Sequence, residues 1–385
     1  MIKLEKIFSF RFFFRLAFVS LSLFVLIVFL NTPKVLFYPD NVLMLFRDKI
    51  LSFGFGSGFP ISLNQDVNPL NFEIIDNTAM ILGSSEFISV SPSSKIIFRT
   101  GHSFSCPLMK KSRCRALISD CGGNDFKIVS RSKVYKTGKT ENNIISSSIS
   151  EIENYCFLTD SDGYCCEMVV FGLHDDKKKY RYCFSQLHAV DIAINESGKN
   201  VAVCGFYASD NEIKSVVQIF DIESKEPKFT YESKDNILIS LCYFSNNEIV
   251  AIGDRLAIFV DSHNKIKEFN YDSKQFCLAS IDKDFGLILS LSATFDERNQ
   301  QVFVLKKNGK LVSRINTEKR IKSLFFAKKR IMCLSENQVS VFDVSGNLRW
   351  KKRVPVTTKK SLLISNSKAF LLGNREISLT TDIKD

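Results

Sequence analysis

From residue 59 onward the chain alternates short hydrophobic runs with polar turns, and the runs come in fours. Each unit opens with two strand-like runs joined by a polar turn. A third run of alternating hydrophobics follows, then another turn and a fourth, shorter strand. In one copy the pieces read AVDIAIN, ESGK, NVAVCGFYA, KSVVQIFDI, ESKE and PKFTYES. In another they read IKSLFFA, KK, RIMCLSEN, QVSVFDV, SGN and LRWKKRV. The third and fourth runs align best, as in LAIFVDSHNKIKEFNY and VFVLKKNGKLVSRIN. The turn between them carries Ser, Asn, Gly or Asp, which tolerate the positive φ angles of tight hairpins.

These turns fall near Lys95, Lys133, Lys177, Glu226, Lys265, Lys310 and Asn347, 37 to 49 residues apart. A four-stranded unit repeating near 40 residues predicts an all-β fold, a β-propeller. No stretch past residue 60 keeps a 3.6-residue apolar period, which argues against a helical solenoid. After the seventh turn, KSLLIS, KAFLLGN and EISLTT supply three more strands. The exposed edge of a last blade must be paired, and FPISLNQD (Phe59 to Asp66) is placed to donate the missing strand. The count gives eight blades, with seven the alternative because the unit from Cys106 to Thr137 is the least regular.

Before the repeats lies one uninterrupted uncharged run, Leu16 to Pro33, LAFVSLSLFVLIVFLNTP. A ~30 Å hydrocarbon core needs roughly 20 apolar residues in a helix. Phe12, Phe13 and Phe14 extend the run, and Arg15 can reach the headgroups. A cleavable signal peptide has a shorter core and a small-residue exit, whereas this run leaves through Phe29, Leu30, Asn31 and Thr32. An uncleaved anchor is the expectation. Lys3, Lys6, Arg11 and Arg15 precede it and only Lys34 follows closely, which places the N-terminus in the cytoplasm and the large domain outside. Pro39 and Asp40 start a helix whose apolar positions are Val42, Leu43, Leu45, Phe46, Ile50 and Leu51; GFGSGFP then turns the chain. This segment either lies on the membrane or packs under the propeller. The expected organisation is a cytoplasmic tail (1–10), a transmembrane helix (11–33), a juxtamembrane helix and Gly-rich turn (34–58) and the propeller (59–385).

Charge and cysteine change this picture little. The net charge is +11, and its clusters, Lys177 to Lys179, Lys328 to Arg330 and Lys351 to Arg353, fall at predicted turns or strand ends. A solvated basic surface is the simplest reading, with attraction to anionic lipid or wall polymer the alternative. No motif supports nucleic acid binding. The 11 cysteines are many for an exported domain, and an odd number leaves at least one free thiol. Cys156, Cys183, Cys204, Cys242, Cys277 and Cys333 sit in apolar strand patterns, as small buried hydrophobes do.

The anchor, the PDNVLMLF helix, the GSGFPISL lead-in and the strand repeats together resemble an uncharacterised clostridial (Firmicutes) family of single-pass membrane proteins, classed as a domain of unknown function. The resemblance covers nearly the whole chain. It implies a fold and no catalytic residue. More distantly the repeats resemble WD40 and quinoprotein-type blades, without the WD dipeptide: Trp350 is the only tryptophan and follows Arg349.

Candidate chemistry is sparse. Cys165 and Cys166 are adjacent, as in quinoprotein dehydrogenases, but those enzymes also repeat a tryptophan-docking motif that one tryptophan cannot supply. Successive strand residues face opposite ways, so one of the two cysteines is expected in the core. Asp160, Asp162 and Gly163 look like the start of a calcium loop, yet Phe171 stands where the closing Glu belongs; a hairpin turn is expected. His102, His174, His188 and His263 form no metal motif, and Cys114 and Cys121, with Gly122 and Gly123, lack C-x-x-C spacing. Nucleophile elbows and phosphate loops are absent from the sequence. A hydrolase would need carboxylates converging at the channel, and Asp120, Asp125, Asp160, Asp191 and Asp284 are the candidates. The functional expectation is therefore a membrane-anchored, extracytoplasmic propeller that binds an envelope protein, with no catalytic, cofactor or metal residue assigned. The alternatives are an enzyme acting on envelope polysaccharide, or a ligand sensor.

Overall fold

The computed structural model describes residues 39–209, 212–293 and 299–381, with a few positions between 15 and 22. Residues Met1–Phe46 and Arg47–Asp385 form two compact units. The expected transmembrane helix over 11–33 falls almost wholly outside the described residues. Among the described residues no helix is long and apolar enough to cross a membrane.

The larger unit is built from eight four-stranded antiparallel sheets. Blade 1 consists of Phe72–Ile75, Thr78–Leu82, Glu86–Val90 and Ile96–Gly101. The first strands of the following blades are Pro107–Lys111, Ile144–Ile149, His188–Ile194, Leu238–Tyr243, Gln275–Asp282, Ser323–Ala327 and Lys360–Ser365. Blade 8 is completed from the front of the chain, where Ile61–Ser62 pairs with Glu376–Thr381 through Ile61 opposite Ile377. That settles the count at eight, and the unit from Cys106 is a regular sheet like the others.

Strand position explains strand composition. Second strands are sandwiched between neighbouring blades and read as continuous hydrophobic runs; TAMIL (78–82) and IVAIG (249–253) are buried at every residue. Fourth strands sit on the rim and alternate, as PKFTYESK (227–234) does. The core divides into eight apolar clusters, each between two adjacent blades, and one of them joins blade 8 to blade 1 through Leu362, Phe370, Phe72 and Ile81. Such a set of clusters can only be laid out as a closed ring. The sole tryptophan, in the rim strand Leu348–Arg353 of blade 7, donates its indole N–H to the Asn366 carbonyl of blade 8 at 2.9 Å. Lys351 to Arg353 thus lie in a strand, at its end, with no turn among them.

In a blade of this order, the turns joining strands one to two and three to four share one face of the ring, here the hairpin face. The two-to-three turns and the links between blades form the opposite, connection face. Helix α1 (Pro39–Ser52) begins where the Pro–Asp pair predicted. From Arg47 on, the chain packs on the hairpin face. The buried Asp48 pairs with Arg131 Nε at 3.2 Å and accepts from Ser132 Oγ, both in the last hairpin turn of blade 2. Arg131 Nη1 in turn reaches Asp76 Oδ2 at 2.7 Å. Lys95 Nζ donates to the carbonyls of Leu51 and Phe53 at 2.8 and 2.7 Å, and Gly56 N–H to Ser93 O at 2.9 Å.

Candidate functional site

Inner strands carry the residues that can meet at the axis, because first strands ring the centre while fourth strands face outward. Three carboxylates project there, and each is held by a cation from another blade. Asp191, in the first strand of blade 4, takes Lys110 Nζ of blade 2 at 3.2 Å. It also accepts from Ser146 Oγ of blade 3 at 2.7 Å, and from Ser240 Oγ and Leu241 N–H of blade 5 at 3.3 and 3.0 Å. Burial alone would push the Lys110 ammonium down, but Asp191 outweighs it and the group ends raised.

Glu73 in blade 1 lies between Lys111 of blade 2 at 2.9 Å and Lys360 of blade 8 at 3.3 Å. Burial opposes its charge; the two lysines overcome that and bring the carboxyl down to about 2. Glu151, in the first hairpin turn of blade 3, accepts from Lys283 Nζ of blade 6 at 3.2 Å and from Arg113 N–H of blade 2. Arg113 Nη2 meets Glu196 of blade 4 at 3.0 Å. Blades 3 and 6 stand three places apart in a ring of eight, so the Glu151–Lys283 bridge spans the channel at its hairpin-face mouth.

The five aspartates considered from sequence do not converge. Asp191 alone reaches the axis. Asp120 accepts from Cys106 N–H at 2.7 Å, Asp125 pairs with Lys139 at 3.3 Å, and Asp160 and Asp284 stand exposed in turns on opposite faces. A glycosidase pair requires two carboxyls facing one bond across ~5–9 Å. The axial carboxylates described above are each neutralised by a basic neighbour.

Cys166 is buried, donates to Leu187 O at 3.2 Å and is pushed by burial up to about 11. Cys165 points away from it, donates to Ser185 O at 3.3 Å and lies 3.9 Å from His188 Nε2. The expected division of the pair between core and surface is what is found. Cys114 and Cys121 flank opposite ends of the strand Ala116–Asp120, which alone spans ~13 Å at strand rise, and cannot share a metal. Among the described residues no cluster of three or more His, Cys, Asp or Glu could hold one. His174 and His263 sit exposed in hairpin turns, and Asp162 and Gly163 in a turn with Gly163 at φ +83°. His102 Nε2 lies 3.1 Å from Gly83 O, and its Nδ1 accepts from Phe104 N–H.

Sequence reasoning missed Glu73, Lys110, Lys111, Glu151, Lys283 and Lys360. A charge interrupting the otherwise apolar first run of a unit, as in FEII, PLMKK or HAVDIAI, was the available signal.

Residues 64–378 match the model of a "Family of unknown function (DUF5711)". No curated protein matches the sequence. Among solved structures, BamB from Moraxella catarrhalis superposes with a TM-score of 0.52 at 9% identity, covering 85% of this chain and 100% of that one. The C-terminal WD40 domain of Sif2 gives 0.61 at 10% identity, over 86% of this chain and 100% of that one. Saccharomyces cerevisiae Sqt1 gives 0.60 at 9%, with coverage of 86% and 100%. At such identities the likeness is one of fold.

Proposed function

The chain belongs to the DUF5711 family of unknown function, and from that premise we propose that it is a membrane-anchored propeller acting as a non-catalytic protein-binding scaffold of the cell envelope. The observation that carries this reading is the stitched axis. Asp191, Glu73 and Glu151 each spend their charge on lysines of other blades, so the channel holds the ring together and the loops of the two faces are left for recognition. The uncharged run Leu16–Pro33 supplies the anchor, a single pass. The basic residues ahead of it put the N-terminus in the cytoplasm and the propeller outside. The Phe-, Lys-, Ile- and Asn-rich composition fits a clostridial source.

The test is recovery of the intact chain from solubilised envelopes after chemical cross-linking. A protein at near-equal stoichiometry, lost when exposed face loops are replaced, is the expected result. Recovery without a stoichiometric protein across growth conditions contradicts the reading.

A further inference from the structure

In the last turn of α1 and just beyond it the chain displays apolar side chains that the propeller does not use. Ile50 is 58% exposed, Phe53 84% and Phe55 92%. Two phenylalanines this bare, two residues apart, are unusual on a folded surface. They are not on a loose strand. The backbone beneath them is bolted to the first blade: Lys95 Nζ holds the Leu51 and Phe53 carbonyls, Ser93 Oγ donates to Gly54 O at 2.7 Å, and Gly58 N–H donates to Ser94 Oγ at 2.8 Å. Asp48, buried on Arg131 and Ser132, fixes the turn of helix before them. The fold therefore presents these rings outward from the hairpin face.

The surrounding charge is polarised. Hairpin-face turns in the arc from blade 6 round to blade 2 carry Lys95, Lys133, Lys307, Lys310, Lys328 and Lys329. Their acids among the described residues are Asp76, Asp282, Asp284 and Asp343, of which Asp76 is taken up by Arg131 and Asp343 by Arg349. Arg47 and Lys49 add two exposed cations beside Ile50. The opposite arc, blades 3 to 5, is where Glu153, Asp175, Asp176, Glu223, Glu226 and Asp261 outweigh the lysines. Lys328 and Lys329 occupy both central positions of a two-residue hairpin at φ 54° and 57°, where Asn–Gly would sit without strain. Positive charge is kept there against local backbone preference.

We infer that Ile50, Phe53 and Phe55, with the basic arc around them, form a lipid-contact surface that seats the hairpin face on the anionic bilayer in which the uncharged run is anchored. The inference rests on the anchoring proposed above. Sequence distance selects lipid as the occupant: α1 starts six residues beyond Pro33, a reach of at most about 20 Å. Wherever that run spans, the start of the helix stays near the headgroups. Aromatic rings flanked by lysine and arginine are the composition of an interfacial contact.

The experiment reconstitutes the full chain into vesicles of phosphatidylglycerol and brominated phosphatidylcholine. Phe53→Trp and Phe55→Trp are placed singly in a Trp350→Phe background, and flotation of the unaltered chain reports anchoring by itself. The new tryptophans are expected to lose at least about half of their fluorescence to bromine, while native Trp350 in the otherwise unaltered chain keeps its own. Quenching is expected to weaken in vesicles lacking phosphatidylglycerol, and equal quenching there overturns the electrostatic half of the proposal. Flotation with both introduced indoles unquenched overturns the lipid contact and leaves the anchor standing. A blue-shifted, unquenched emission with doubled particle mass assigns the surface to a second copy instead. A chain that does not float overturns the anchor and the contact together.

Discussion

Glu73 shows how much one axial residue contributes. Its carboxyl sits at about 2 in the fold against an ordinary 4.5, so the stabilisation is fully present above pH 4.5 and is lost as pH falls toward 2. A shift of this size corresponds to roughly 3 kcal/mol. Glu73→Gln is expected to cost about that much at pH 7 in urea denaturation and to flatten the acid limb between pH 4.5 and 2; an unchanged acid limb would show that the two lysines do not act through this group. Asp191→Ala strands the Lys110 ammonium and three other donors; because the lysine is partly solvated, the cost is expected at or below the low end of the ~3–5 kcal/mol of a fully buried pair. The pair Lys110→Met with Asp191→Leu should cost clearly less than the sum of its single substitutions, as a thermodynamic cycle will read. At the surface, Lys329→Gly removes a left-handed strain of about 1–2 kcal/mol, partly offset by glycine's entropy of ~0.5–1 kcal/mol. A small gain in melting temperature is expected, and a loss would mean the lysine makes compensating contacts.

Among elements, those that were legible in the sequence share a physical reason. Second strands are buried on both sides, so their hydrophobic runs stand out, and hairpin turns need residues that accept positive φ, so they punctuate the sequence. The leftover three strands after Val354 announced the closure that Ile61–Ser62 provides. The unit from Cys106 read as irregular because its first strand, PLMKK, carries two lysines that serve the axis. Axial pairing itself was not legible. Lys110 and Asp191 lie 81 positions apart, Lys283 and Glu151 132 apart, and only ring closure brings them together. The segment ahead of the ring left two placements open; from Arg47 the chain packs on the propeller, fixed by an aspartate whose partner turn no local pattern reveals. Ile61→Asp places a charge at the seam of blade 8 and should lower the melting temperature while releasing an unpaired strand edge, visible as concentration-dependent association in light scattering. Asp48→Ala should raise amide exchange across residues 47–58 and leave the blades protected; exchange spreading through blade 2 instead would mean the helix supports the ring.

At the scale of the propeller unit, the arrangement is a ring closed by its own first strand and stitched across the axis by ions. Five of the eleven thiols are buried, and burial raises several of them, Cys114 and Cys166 to about 11. They should resist alkylation in the folded protein. Cys106 is the exposed one, on the connection face, and that makes it a reporter of sidedness. Intact cells treated with a membrane-impermeant maleimide test the anchored, outward-facing propeller most directly. Modification fastest at Cys106, the exposed thiol, and markedly slowed by Cys106→Ser, is predicted without permeabilisation. Modification that appears only after the membrane is opened would put the ring in the cytoplasm and contradict the anchored, outward-facing arrangement.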